Sequence, residues 1–217
     1  MKNLSSLLST ALTSGSQAAY SQEATNSKEI KDLYMNEQGF FTHCVPKKFA
    51  HVTLAHCDQQ PASFIEYAKS WAKNPESVIL KGPVGRGKTQ FAFAMLRQMF
   101  RSCPRVIWPR YYTSPDLDSI LLEASRGEGE KYRVENIGTQ DLLFIDDFGR
   151  ETDSARMRRQ YFEILNMRYA KMLPLIISTN MGFPEIAEKF TDAIASRFQE
   201  YQIIEFNGLD LRIMKKL

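Results

Sequence analysis

Eight consecutive residues, Gly82-Pro83-Val84-Gly85-Arg86-Gly87-Lys88-Thr89, make the strongest chemical statement in the chain. They fit the pattern G-x-x-x-x-G-K-[ST]. In that pattern, glycines let backbone amides close round phosphate oxygens, and the following helix turns its positive end toward the same anion. Lys88 stands where the chemistry needs a cation for the β- and γ-phosphates, and Thr89 where it needs a hydroxyl for Mg²⁺. The loop follows a short apolar strand, Ser77 to Leu80, and opens a run from Thr89 to Phe100 that is apolar on almost every side. It therefore stands where a strand passes into a buried helix. A chance glycine-rich turn would leave Lys-Thr at the helix start unexplained. The whole segment from Gly82 to Thr89 is expected to bind ATP.

Hydrolysis needs more than a phosphate cradle. Asp141-Leu142-Leu143-Phe144-Ile145-Asp146-Asp147 reads as a buried strand with two carboxylates at its C-terminal end, the edge at which open parallel sheets bind ligands. Asp146 is the candidate to hold Mg²⁺ through its water shell, and Asp147 the candidate general base for the attacking water. Paired acids after a strand are often a solvated turn; here the upstream phosphate loop favours function. A further strand ends in Ser178-Thr179-Asn180 and is expected between the phosphate-loop strand and the acidic one. Asn180 would then contact the γ-phosphate or orient the water, or else merely cap the strand.

These residues need a frame, and the chain alternates strand and helix from about 45 onward. Phe64, Tyr67, Ala68 and Trp71 share a helical stripe over 61–73, which Asn74-Pro75 stops. Val106-Ile107-Trp108 is the next expected strand after Cys103-Pro104, and Thr113-Ser114-Pro115 is a helix start. Residues 126–139 are polar, contain three glycines and predict an exposed loop. A helix over about 154–172 carries Met157, Tyr161, Ile164 and Leu165 inward, followed by strands at 175–179 and 202–206 and two short helices between them. The alternation predicts an α/β P-loop NTPase fold with a five-stranded parallel sheet flanked by helices.

Residues 1–44 differ from the rest. They are rich in Ser, Ala, Gln, Asn and Thr, and predict an N-terminal extension, partly disordered and partner-binding, ahead of a catalytic domain at 45–217. Leu4, Leu7, Leu8 and Leu12 would share one face if the segment forms a docking helix. Bulk properties are those of a soluble domain, with 43% hydrophobic and 24% charged residues and no apolar run long enough for a bilayer. Three cysteines without framework spacing read as free thiols, consistent with a cytoplasmic location.

Secondary clusters have two readings. Trp108, Arg110, Tyr111 and Tyr112 interleave aromatic and basic groups as single-strand binders do, and Arg156, Arg158, Arg159 and Lys131, Tyr132, Arg133 are basic groups. Each alone is more often a solvated face or an edge of the core. His43-Cys44, His51 and His56-Cys57 crowd one window, but adjacent His-Cys pairs lack the spacing that brings zinc ligands together.

GPVGRGKT, LLFIDDFG and LIISTN, in that order, resemble the Walker A, Walker B and sensor 1 segments of AAA+ ATPases, and more closely those of the DnaC/IstB group. Val45-Pro46-Lys47-Lys48-Phe49, Arg168-Tyr169, Ser196-Arg197-Phe198 and Gly208-Leu209-Asp210-Leu211-Arg212 are similar to that group as well. The resemblance implies an ATPase that forms homo-oligomers on binding ATP and engages DNA. It implies Arg197 as an arginine finger reaching a neighbouring subunit, Arg212 at a second sensor position in contact with nucleotide, and an AAA+ core without a C-terminal lid. It also implies a partner: a replicative helicase to be loaded on single-stranded DNA, or a transposase recruited to target duplex DNA. Two readings from other classes fit the residues less well. A small-molecule phosphotransferase leaves Asn180, Arg197 and the doubled aspartate without a task, and nothing marks the site as that of a non-hydrolysing scaffold.

Overall fold

The computed structural model describes residues 36–126 and 130–207. The leucine stripe at 4–12 and the terminal 208–212 segment with Arg212 lie outside the described residues. The elements in chain order are α1 (Glu37–His43), α2 (Ala62–Trp71), β1 (Val78–Lys81), α3 (Lys88–Ser102), β2 (Pro109–Thr113), α4 (Ser114–Ser125), α5 (Glu130–Gly138), β3 (Leu142–Phe148), α6 (Ala155–Ala170), β4 (Leu175–Thr179), α7 (Phe183–Lys189), α8 (Asp192–Gln199) and β5 (Gln202–Glu205). Two short 3-10 turns precede α2.

The five strands form one sheet in the order β2-β3-β4-β1-β5, with every pairing parallel. This is the expected five-stranded fold. Alternation along the central strands sends side chains into two separate cores. Val78, Leu80, Leu142, Phe144 and Ile176 face α1, α2 and α3, whereas Ile79, Leu143, Ile145, Leu175 and Ile177 face the helices on the other side. Helix α3 explains its own composition: Phe91 through Leu96 are all 0% exposed, wedged between the sheet and the N-terminal helices. Each such Phe contributes about 1.5–3 kcal/mol relative to an exposed ring.

Residues before position 45 join this packing. Phe40 and Phe41 of α1 are buried against Phe93 and Phe100 of α3. Glu37 accepts from Arg97 at 2.5 Å and Arg101 at 2.6 Å, and the Arg97 guanidinium lies over the Phe41 ring.

Two expectations fail. The strand expected at 106–108 runs instead over 109–113, pairing Pro109 with Leu142 through Thr113 with Asp146. Val106 is 70% exposed. Pro109 opens an edge strand, where a missing N–H breaks no ladder bond. Two members of the aromatic-basic cluster, Tyr111 and Tyr112, are thereby half-buried against the two cores. Tyr111 packs between Phe93 and Phe144, and Tyr112 on the opposite face, because neighbours on a strand alternate. The polar stretch expected to be a loop contains α5, whose Val134 and Ile137 are buried against α6. Two apolar residues at i and i+3 suffice to seat so short a helix, and glycine content masked them.

No helix among the described residues is long and apolar enough to cross a membrane.

Candidate nucleotide site

Because all strands are parallel, their C-terminal ends share one edge, and the ends of β1, β3 and β4 bring the predicted residues together there. Strand β4 lies between β3 and β1, so Asn180 emerges between Asp146-Asp147 and Gly82, as expected.

The phosphate loop is held by contacts that only glycine allows at two points. Gly82 has φ 147°, and a Cβ there would lie 2.4 Å from the Phe206 carbonyl oxygen. That closeness arises because β5 continues alongside, with Phe206 N–H donating to Lys81 O at 2.7 Å. Gly87, at φ 87°, is the left-handed residue that turns the chain into α3. Gln60 Nε2 donates to Arg86 O at 2.9 Å, steadying the loop from outside. Gln60 carries no sequence signal, because a Gln59-Gln60 pair before a proline fits no motif.

Lys88 Nζ donates to Gly82 O at 2.5 Å, Pro83 O at 2.8 Å and Asn180 Oδ1 at 2.7 Å. The Thr89 hydroxyl reaches both Asp146 oxygens, at 2.9 and 3.0 Å, across 57 positions of sequence. Asp146 also accepts from the Ser178 hydroxyl, whose oxygen in turn receives the Asp147 N–H at 2.9 Å. Ser178 therefore ties both aspartates to β4. It carries the site's geometry, a tie that its place in the Ser178-Thr179-Asn180 strand end does not by itself reveal. Asp146 is 6% exposed. Burial raises its carboxyl above the ordinary carboxylate range, the Ser178 and Thr89 hydroxyls pull it back, and neighbouring Asp147 adds to the rise.

Asp147 is more open, with a 39% exposed side chain 3.4 Å from Arg150. Its φ of 55° is a left-handed conformation. Strand pairing explains it: Ile145 pairs with Ile177, yet Phe148 pairs with Thr179, so β3 holds one extra residue at a bulge.

These donors suit the groups expected here. A glycine-lined loop, a buried ammonium bonded to carbonyl and amide oxygens, and a hydroxyl paired with a buried carboxylate would suit a triphosphate and Mg²⁺. Thr89 and Asp146 would hold the ion.

Arg197 is apart from this cluster. Its guanidinium lies 5.5 Å from the Phe162 ring centroid and 5.1 Å from that of Tyr169, both on α6. Tyr169 is in the last turn of α6 and Arg197 in the last turn of α8, each just before a strand begins. Both therefore lie toward the amino edge of the sheet, opposite the phosphate loop.

Arg168, half of the Arg168-Tyr169 pair, is fully buried and donates to the carbonyls of Gly138, Gln140 and Pro174. Desolvation brings it down to about 10. It fastens loops at the amino edge and is not part of the site. The basic groups at the start of α6 are largely neutralised, Arg156 by Asp118 at 2.6 Å and Arg158 by Asp153 at 2.7 Å. In the His-Cys window, burial pushes Cys44 up to about 11 and Cys57 up to about 12, while His56 Nδ1 is 2.8 Å from the Thr53 hydroxyl. Among the described residues no group of three or more His, Cys, Asp or Glu is placed to hold a metal.

Comparison with known proteins points to one family of ATP-binding proteins. A family model described as "IstB-like ATP binding protein" matches residues 47–201. The insertion sequence ATP-binding protein y4uH of Sinorhizobium fredii is 29% identical over 160 residues, covering 69% of this chain and 61% of its own. The replicative helicase loader DnaC of Escherichia coli K12 is 24% identical over 136 residues, covering 62% of this chain and 54% of its own. The chain thus spans between about half and three fifths of the length of these curated relatives. Among solved structures, DnaI superposes with a TM-score of 0.63 at 19% identity, covering 75% of this chain and 94% of that one, a likeness of fold.

Proposed function

The chain belongs to the family of IstB-like ATP-binding proteins, of the AAA+ DnaC/IstB type, and from that premise we propose that it hydrolyses ATP to drive the loading of a replicative helicase onto single-stranded DNA. The observation that carries the ATPase reading is the convergence of Lys88, Thr89, Asp146 and Asn180 through direct hydrogen bonds at one sheet edge.

Each residue has a task on this reading. The backbone N–H groups from Val84 to Thr89 bind the phosphate chain, since Pro83 has none and Gly82 donates its own to the Thr179 carbonyl, and Lys88 exchanges its carbonyl partners for phosphate oxygens. Magnesium, when held by Thr89 and Asp146, would supply positive charge against those oxygens. Asp147 takes a proton from the attacking water, and Asn180 orients that water or the γ-phosphate. Arg197 lies toward the edge opposite its own subunit's phosphate loop, which supports a role at a neighbour's site in a homo-oligomer formed on ATP binding. Such a group can contribute about 10³–10⁵ in rate in related phosphoryl transfer.

The DnaC relative supports the helicase reading. The higher identity to y4uH favours a second, a transposition helper that assembles on target duplex DNA and engages a transposase. Capture of the host's replicative helicase by the immobilised chain in the presence of ATP supports the first. Filaments on duplex DNA with no helicase capture would replace it with the second. Failure to bind or turn over ATP would overturn both.

A further inference from the structure

The loop leaving β3 contains a buried carboxylate that the nucleotide chemistry above leaves without a task. The Glu151 side chain is 0% exposed and faces Lys189 Nζ of α7 at 2.9 Å. Its Oε2 accepts the Gly149 N–H at 3.1 Å and the Ser114 hydroxyl. Lys189 Nζ in turn donates to Gly149 O at 2.6 Å and Glu151 O at 2.9 Å. Gly149 is thus gripped at both backbone groups, its amide by Glu151 and its carbonyl by Lys189. Ser114 is itself fixed, since Tyr161 donates to its carbonyl at 2.9 Å. Three elements meet at this one ion pair: the β3–α6 loop, the start of α4 and the end of α7.

Gly149 stands two residues beyond Asp147, whose left-handed backbone at the bulge is one that aspartate adopts infrequently. Such a conformation persists only where the surroundings hold it. Strand β4 holds one side, through Ser178 to the Asp147 amide and through Thr179 Oγ1, which donates to Phe148 O at 2.8 Å. The Glu151–Lys189 pair holds the other. Desolvation makes a buried ion pair a weak source of net stability, so its geometry is the more informative feature.

We propose that Glu151 and Lys189 are positioning residues that fix the Asp147 carboxylate for its work on the attacking water, so that they govern turnover while nucleotide binding rests with the phosphate loop. The inference rests on the assignment of Asp147 as general base.

The test uses the full chain with Glu151→Gln and Glu151→Asp, alone and combined with Asp147→Asn. Steady-state and single-turnover ATP hydrolysis are read beside fluorescent-nucleotide affinity and thermal melting. In the parent background kcat should fall by about 10- to 100-fold, with KM and nucleotide affinity within about twofold. In the Asp147→Asn background Glu151→Gln should change the residual rate by less than about twofold, because the aim of an absent base cannot be lost. Unchanged kcat in a folded Glu151→Gln protein would overturn the proposal. So would a loss that multiplies in the Asp147→Asn background, or a loss confined to affinity. If Glu151→Gln fails to fold, Glu151→Asp decides by the same criteria, since it keeps the charge opposite Lys189 but is too short to hold both partners. Normal turnover by Asp147→Asn alone would remove the base assignment. An inactive Asp147→Asn beside fully active Glu151 variants would remove only the clamp.

Discussion

Lys88 and Asn180 are joined by a 2.7 Å hydrogen bond between the first helical residue of α3 and the residue that leaves β4. The lysine ammonium thus spends its donors on the protein's own oxygens, and nucleotide must take them over. Lys88→Ala should weaken ATP binding by at least about 10²-fold, since charge-assisted contacts to phosphate are lost outright. Asn180→Ala should leave affinity within about threefold while lowering kcat by about tenfold or more. Titration with a fluorescent ATP analogue and steady-state hydrolysis read both. Wild-type affinity in Lys88→Ala contradicts the phosphate-loop role.

Asp147→Asn should bind ATP normally and turn it over at least about 10²-fold more slowly. Asparagine tolerates the left-handed backbone at this position, so the fold should be preserved and the loss should be chemical. Normal hydrolysis by the variant would remove Asp147 as the base.

Asp146 makes a pH-dependent prediction. Burial raises its carboxyl above the ordinary 3.8, so the folded state takes up this proton before the unfolded state does. The ionised group therefore opposes folding at neutral pH, and the opposition fades as pH falls through the raised value toward 3.8. Without nucleotide or magnesium, Asp146→Asn should melt above the parent at pH 7, and the gap should narrow on acidification. Added magnesium and ATP should raise the parent's melting temperature by more than the variant's, because the variant keeps its phosphate loop but loses a carboxylate for the ion. A gap that widens as pH falls would contradict this.

Arg197→Ala should hydrolyse poorly alone yet recover activity when mixed with Lys88→Ala. One lesion spoils the site a subunit binds with, and the other spoils what it lends its neighbour. Mixed assemblies would contain junctions with an intact phosphate loop on one side and an intact arginine on the other. No recovery at any mixing ratio would argue against action between subunits.

The fold was largely legible in sequence because a buried parallel strand is a short apolar run. Val78-Ile79-Leu80, Leu142 to Ile145 and Leu175 to Ile177 are such runs. The loop and the paired aspartates were legible for a related reason: their chemistry tolerates few residue types at fixed spacing. An edge strand that begins on a proline gives a weaker signal, and β2 was displaced by several residues as a result. Its Tyr111 and Tyr112 resembled a nucleic-acid platform until the pleat sent them to opposite faces of the sheet. The supporting residues were illegible for another reason. Gln60, Glu151 and Lys189 act through contacts between elements distant in sequence, and no local pattern marks them.

The anchoring of Glu37 to Arg97 and Arg101 gives α3 a second use. The helix that presents Lys88 and Thr89 at its front end is grasped near its rear by the segment where the described chain begins. Tension on the leading part of the chain would therefore arrive at the nucleotide along a single rod, without first crossing the sheet. Equally, a shift of that rod would reach α1 through the same two ion pairs.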